Sequence, residues 1–149
     1  MKVSTKVEFG IIAMIDIAIH SESGEAVTVF SISKRHNISF KYLEQILNVL
    51  SQSHLIRGIK GSKGGYLITR SAEKITFKDI INALDVTVLS DVDFHSENDS
   101  AIINTVNISF WDKLTDYMQT FAANLTLADI TEQCRKSMEQ DTEEFMYYI

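Results

Sequence analysis

Residues 37–50, NISFKYLEQILNVL, are the part of the sequence that decides the fold. Ser39 is a favourable N-cap, and apolar residues then recur at the three- and four-residue spacing of a helix. The predicted inward-facing residues are Phe40, Leu43, Ile46, Leu47 and Leu50. A shorter helix over about 29–36 is predicted just before them, so two helices joined by residues 37–39 form a helix-turn-helix.

The outer face of the second helix carries side chains that can hydrogen-bond to base edges. A helix of this kind fits the DNA major groove with its N-terminal residues closest to the bases. Glu44 can accept from a cytosine amino group, Gln45 can pair with adenine, and Lys41 can reach guanine or a phosphate. The candidate DNA-binding residues of this helix are Ser39, Lys41, Tyr42, Glu44 and Gln45. An ordinary solvated helix face is the alternative interpretation.

A β-hairpin is predicted directly after the helix-turn-helix. Residues 55–60 and 66–69 have strand character, and the glycine-rich segment 61–65 connects them. The glycines allow close approach to DNA, while Lys60 and Lys63 supply positive charge for phosphates or a narrow minor groove. A basic hairpin in this position is typical of a winged-helix domain, and an ordinary glycine-containing hairpin is the alternative.

Two further helices carry their own start signals. Thr5 and Glu8 have capping-box spacing before an apolar-rich helix that is predicted to run to about residue 20. Thr76 and Asp79 have the same spacing at the start of a fourth helix. The predicted fold class is therefore mostly α with a small β-hairpin wing.

The C-terminal part is predicted to form a dimer interface. Over about 104–124, apolar residues step by three and four, which is the pattern of a coiled-coil seam. The partner helix can belong to a second subunit or to the same chain, and the pattern alone does not distinguish these. One more short helix is predicted after Thr126, followed by a polar stretch and an apolar tail. The candidate dimerisation residues are Phe110, Trp111, Leu114, Tyr117, Met118, Phe121 and Leu125.

The N-terminal and C-terminal parts of the chain also differ in net charge. The predicted organisation is a winged-helix domain over 1–84, an acidic linker over 85–103, and a dimerisation helix with a regulatory tail over 104–149. Residues 1–84 hold 11 basic and 7 acidic side chains, a net of +4, whereas residues 85–149 hold 3 and 13, a net of −10. A basic N-terminal part suits an anionic partner such as DNA. The runner-up is a protein-interaction module whose wing binds an acidic protein.

Composition argues against several other classes of protein. The longest apolar run, 11–15, is too short to cross a bilayer, and no signal peptide is evident, so a cytoplasmic protein is expected. Cys134 is the single cysteine, which excludes an internal disulfide. No nucleophile–base pair or phosphate loop indicates an enzyme. The acidic residues around His95 match no compact metal motif, and these are Asp91, Asp93, Glu97 and Asp99.

Three segments together resemble the signature of a known family. Residues 4–6 read STK, 38–47 read ISFKYLEQIL and 61–66 read GSKGGY. They are similar to the Rrf2 family of bacterial winged-helix transcriptional regulators, and the resemblance extends along essentially the whole chain. It implies a homodimeric repressor bound to a near-palindromic operator. The DNA-binding positions it implies in addition to the recognition helix are Ser4, Thr5, Lys6, Lys60, Ser62 and Lys63.

The sequence departs from this family pattern at a cofactor site. Members that bind an iron–sulfur cluster carry three cysteines in the segment matching 86–104, where this chain has none. Cluster ligation needs several soft thiolates, and Cys134 alone cannot supply them. The expectation is a regulator without cofactor or metal, closest to the branch that represses cysteine metabolism. Lys60 and Glu8 also replace common basic residues of the family in ways that predict weaker DNA contacts.

The C-terminal tail resembles the same branch, because residues 145–149 read FMYYI and end on Tyr-Ile. In that branch the partner is cysteine synthase, whose active site accepts a C-terminal isoleucine. A free carboxylate on an apolar side chain is a compact recognition element for such a pocket. Packing of the tail on the chain's own dimer is the alternative. The implied partner-binding residues are Tyr147, Tyr148 and Ile149.

Overall fold

The computed structural model describes residues 3–92 and 100–148 and shows a mostly helical chain with one hairpin, so the predicted fold class is confirmed. A 3-10 turn at Ala72–Lys74 precedes the helix that begins at Phe77, and a π-helical turn at Asn107–Trp111 joins the helix that ends at Val106 to the one that begins at Asp112. The elements are α1 Thr5–His20, α2 Val29–His36, α3 Phe40–Gln52, β1 Ile56–Ile59, β2 Gly65–Ile68, α4 Phe77–Leu84, α5 Ala101–Val106, α6 Asp112–Asn124 and α7 Leu127–Tyr147.

One apolar core joins the first four helices, the hairpin and the start of α7. α1 packs against both α3 and α4, and α7 packs against α1. Full burial of a large apolar side chain contributes roughly 1.5–3 kcal/mol, so this core dominates the stability of the fold. Its largest fully buried side chains are Val7, Met14, Ile17, Ile32, Leu43, Ile46, Leu47, Leu50, Ile56, Ile75, Ile80 and Leu127.

The helix-turn-helix forms because each helix has a local start or stop signal. The Thr28 side chain accepts from the backbone N–H of Ser31 at the start of α2. α2 ends at His36, and its C-cap Asn37 has a φ of 52°, in the left-handed region that asparagine tolerates. The Ser39 side chain then accepts from the N–H of Tyr42 and begins α3, as predicted.

Two local predictions in this region are wrong. α1 is capped by Ser4, whose side chain accepts from the N–H of Val7, so Thr5 is the first helical residue and not the cap. Phe40 does not join the inner stripe of α3, since it is 47% exposed. As the first residue of the helix, it has a Cα–Cβ bond tilted beyond the helix start. Its side chain therefore lies outside the core, whereas Leu43, one turn further along α3, is fully buried in it.

The hairpin is anchored to the helix-turn-helix by a third backbone segment. β1 and β2 pair antiparallel, with Ile59 opposite Gly65. Val27, which precedes α2, forms a β-bridge with Tyr66 through two hydrogen bonds of 2.8 and 2.9 Å. A Cβ at Gly65 would lie 2.6 Å from the carbonyl oxygen of Val27, and φ there is 148°. Glycine at this position therefore permits the contact that fixes the hairpin beside α2.

The C-terminal half differs most from the sequence prediction. Its first helix begins at Ala101, earlier than predicted, and the π-helical turn interrupts the regular repeat. Thr126 and Asp129 form a capping box, but the helix they start has 21 residues and is the longest in the described ranges. Residues 132–146 are rich in good helix formers and lack Gly and Pro, so the helix continues without an apolar stripe. None of the helices in the described residues is long and apolar enough to span a membrane.

Candidate nucleic-acid interface

The exposed face of α3 brings together most of the residues predicted to contact bases. Ser39, Lys41, Glu44 and Gln45 are all exposed there. Residues four apart share one side of a helix, so Lys41 and Gln45 form one row of this face. Tyr42 is placed differently, because it is half-buried and its ring makes an edge-on contact with Phe9 of α1, with 6.0 Å between ring centroids. The tyrosine ring thus helps to hold α3 on α1.

The hairpin tip presents the predicted wing residues to solvent. Lys60, Ser62 and Lys63 are exposed. The N–H of Gly64 donates to the carbonyl of Gly61 at 3.0 Å and closes a tight turn. The hairpin packs against α3 through β1. Its tip therefore adds two exposed lysines to the same domain as α3.

The three predicted contacts at the start of α1 are placed less uniformly. Ser4 and Thr5 are exposed, although the Ser4 side chain is engaged in capping α1. Lys6 is half-buried and faces Asp85 at the end of α4. Hydrogen bonds from Thr87, and to a lesser extent the charge of Lys6, hold the pKa of Asp85 below its ordinary value. Part of the positive charge of Lys6 is therefore directed toward the protein.

A buried carboxylate that the sequence analysis missed connects α1 to α2. Asp16 is 3% exposed, and Arg35 donates to both of its oxygens, from Nε to Oδ2 at 2.8 Å and from Nη2 to Oδ1 at 2.7 Å. His36 Nε2 lies 2.7 Å from Oδ2, and His20 Nδ1 lies 3.4 Å from Oδ1. Burial by itself raises the pKa of Asp16, but the hydrogen bonds of Arg35 and His36 outweigh it and keep the pKa below its ordinary value.

Pairing with the Asp16 carboxylate reduces the positive charge that this surface offers to a binding partner. Arg35, counted as basic surface from the sequence, is committed to Asp16, and Arg70 pairs with Asp79 at 3.3 Å. The sequence feature that could have revealed the pair of Asp16 and Arg35 is the aspartate itself, which lies within the apolar pattern of α1. A buried carboxylate requires a partner. Which residue supplies that partner is set by the fold.

The stripe predicted for dimerisation lies on the π-helical turn and α6 and divides into two parts. Trp111, Met118 and Leu125 are half-buried. An apolar groove of about 190 Å³ runs between α1, α4 and α6, and Met118, Phe121 and Leu125 all line it. The exposed members of the stripe are Phe110, Leu114, Tyr117 and Phe121, of which Phe121 covers one side of this groove.

The remaining candidate residues belong to α7, the acidic segment before α5 and the C-terminal tail. Cys134 is half-buried on α7. Within residues 3–92 and 100–148, no group of three or more His, Cys, Asp or Glu side chains could hold a metal ion. His95 and most of its acidic neighbours lie outside the described residues, as does Ile149. Tyr147 and Tyr148, in contrast, are 86% and 85% exposed at the end of α7.

An exposed polar helix face beside a basic hairpin defines a winged-helix transcriptional regulator. The family model Rrf2, described as an iron-dependent transcriptional regulator, matches residues 3–133. The HTH-type transcriptional regulator IscR of Pectobacterium carotovorum subsp. carotovorum (strain PC1) is 32% identical over 130 residues, covering 87% of this chain and 79% of that protein. The chain belongs to the Rrf2 family.

Solved structures lead to the same conclusion. CymR (YrzC), described as the global cysteine regulator of B. subtilis, has a TM-score of 0.78 at 27% identity, covering 89% of this chain and 98% of that one. IscR of T. potens has a TM-score of 0.73 at 31% identity, covering 92% and 90%. The predicted family is confirmed, and the protein is a DNA-binding transcriptional regulator of this family and not an enzyme.

Proposed function

We propose that the protein is a homodimeric repressor that binds a near-palindromic operator through α3 and the hairpin, without an iron–sulfur cluster. The observation that carries the proposal is the exposed row of Lys41 and Gln45 on α3, with Glu44 beside it, followed along the chain by a hairpin whose tip lysines are also exposed. A recognition helix in the major groove brings such side chains to base edges. Lysines on an adjoining hairpin then contact phosphates or the minor groove. Ser4, Thr5 and Lys6 would add contacts from the start of α1.

The side chains available as metal ligands argue against an iron–sulfur cluster, the cofactor that the iron-dependent family description suggests. An iron–sulfur cluster is held by several thiolates, with histidine replacing some of them in certain centres. This chain contains one cysteine, Cys134, half-buried on α7, a helix that packs against α1. The residues present therefore do not fit a cluster. We infer that the regulatory signal reaches this protein by another route.

Glu44→Ala and Gln45→Ala are each expected to reduce the preference for operator over random duplex by about 1–3 kcal/mol, because each removes a base contact. Lys63→Ala should instead weaken binding to every duplex and reduce the salt slope by about one. The operator is first selected from a random library with the wild-type protein. Fluorescence anisotropy at several salt concentrations then measures both affinities.

Lys74→Ala is the matched control for the wing lysine, since Lys74 is exposed on the turn before α4. It should change neither the operator preference nor the salt slope. Unchanged preference in both the Glu44 and Gln45 variants would show that α3 presents another face to DNA. Failure of the wild-type protein to bind any duplex would favour the second candidate, a winged helix that binds an acidic protein.

We further propose that the end of α7 binds cysteine synthase and that the repressor controls cysteine metabolism. Tyr147 and Tyr148 are almost fully exposed, and Phe145 and Met146 beside them are also exposed. An exposed apolar end is costly unless a partner covers it. The preceding acidic residues keep the approach solvated, and these are Glu139, Asp141, Glu143 and Glu144. The similarity to a global cysteine regulator supports the proposed control of cysteine metabolism.

Deletion of Ile149 is expected to abolish binding to cysteine synthase while leaving the thermal unfolding temperature nearly unchanged. The side chain of Ile149 is an apolar element of the kind that a peptide-binding pocket recognises. Calorimetric titration of both forms with the enzyme, with and without O-acetylserine as competitor, measures this. Equal heats from both forms would exclude the C-terminal residue from the contact. A lowered unfolding temperature without enzyme binding would show that the tail packs on its own dimer.

A further inference from the structure

Phe40 is an exposed aromatic side chain at the start of the recognition helix. It is the first residue of α3, and 47% of its surface is accessible, although Leu43 and Leu47 at helical spacing are fully buried. Phe30, the other exposed phenylalanine of the helix-turn-helix, already has a partner, because the Lys34 Nζ lies 5.4 Å from its ring centroid. The exposure of Phe40 is therefore not explained by the core of the protein.

The position of Phe40 determines what it can meet on DNA. The N-terminal residues of a recognition helix lie closest to the base edges. Cα–Cβ bonds tilt toward the helix N-terminus, so the Phe40 side chain projects ahead of the first turn. Glu44 follows it by four residues on the same side of α3. Docking that brings Glu44 to a base edge therefore also brings the Phe40 ring to the neighbouring bases.

The major groove offers a phenylalanine ring one apolar group on the base edges, which is the C5-methyl of thymine. We propose that Phe40 recognises a thymine methyl in each half of the operator. The inference rests on the proposed function, because it requires α3 to lie in the major groove. Contact with a sugar or phosphate would affect every sequence alike, whereas contact with a methyl group depends on the base at one position.

Replacing thymine by deoxyuridine tests the inference, because deoxyuridine keeps the base-pair hydrogen bonds and lacks only the methyl group. Each thymine of the selected operator is replaced in turn, in both half-sites together. At one position the affinity of the wild-type protein should fall by about fourfold per half-site, or about 15-fold for both. Phe40→Ala should bind the thymine and uracil operators within about twofold of each other, since the contacting ring is gone.

Phe30→Ala is the matched control and should keep the full discrimination between thymine and uracil. Phe40→Leu should keep part of it, which guards against a folding defect in the alanine variant. The inference is overturned if no thymine position is sensitive, if the half-sites contain no thymine, or if the sensitivity persists in Phe40→Ala. In those cases a retained preference for operator over random DNA leaves the proposed function standing. Loss of that preference in the wild-type protein overturns the proposed function itself.

Discussion

Replacing Tyr117 and Phe121 together by glutamate is expected to convert the proposed dimer into folded monomers and to lower operator affinity by at least about 100-fold. These side chains are 76% and 69% exposed and are not buried in the core, although Phe121 also lines the groove between α1, α4 and α6. At a two-fold interface, however, it would bury carboxylates from both subunits without partners. Monomers bind half-sites independently and lose the effective concentration that links two sites. Light scattering and fluorescence anisotropy measure the two effects.

Ala123→Glu supplies the control, because Ala123 is exposed on α6 and helical spacing places it on the opposite side from Phe121. This variant adds the same charge and should remain dimeric with unchanged operator affinity. A folded wild-type monomer at micromolar concentration would contradict the proposed assembly. A dimeric Tyr117/Phe121 variant would place the interface on another surface.

The helix-turn-helix could be predicted because its signals are local. Ser39 caps α3, and Thr76 and Asp79 form the capping box of α4, where the flanking Ile75 and Ile80 are both fully buried. Such signals depend on residues three to five apart, which lie together in any helix. The exposed positions of α3 follow from the same periodicity, since its apolar residues fix which side enters the core.

The C-terminal half was less predictable because its helices lack such a stripe. α7 continues through a polar sequence that resembles a loop in its hydrophobic pattern. The π-helical turn at Asn107–Trp111 cannot be inferred from spacing, although it shifts the register before α6. The coiled-coil pattern predicted an apolar face correctly. It could not show that Met118 and Leu125 face the protein's own chain while Tyr117 faces solvent.

The candidate site shows the same division between local and long-range information. Lys41, Glu44 and Gln45 could be assigned to the outer face of α3 from helical spacing alone. The pair of Asp16 and Arg35 could not, because the residues are 19 positions apart and meet only when α1 and α2 pack. The basic surface estimated from the sequence was therefore larger than the one that the structure presents.

Arg35→Ala is expected to lower the free energy of unfolding by about 3 kcal/mol. The change leaves the Asp16 carboxylate buried without the guanidinium that donates a hydrogen bond to each of its oxygens. Arg35→Lys should recover part of the loss, since lysine keeps the charge but lacks the planar fork. Arg70→Ala, which breaks an exposed pair with Asp79, should cost at most about 1 kcal/mol. Urea unfolding of the three variants measures these differences. Equal losses for the Arg35 and Arg70 alanine variants would show that the Asp16 carboxylate remains solvated.

The same carboxylate predicts a loss of stability in acid. The pKa of Asp16 in the folded protein is below its ordinary value, so the unfolded chain binds the proton more tightly. Its contribution to stability is therefore complete above the unfolded value of about 3.9 and is lost as pH falls through the folded pKa. Asp16→Asn lacks that titration. The difference in unfolding free energy between wild type and Asp16→Asn should thus be largest near neutral pH and shrink between about pH 5 and about pH 3. A difference that stays constant over this range in urea unfolding would show that Asp16 does not carry the charge that Arg35 stabilises.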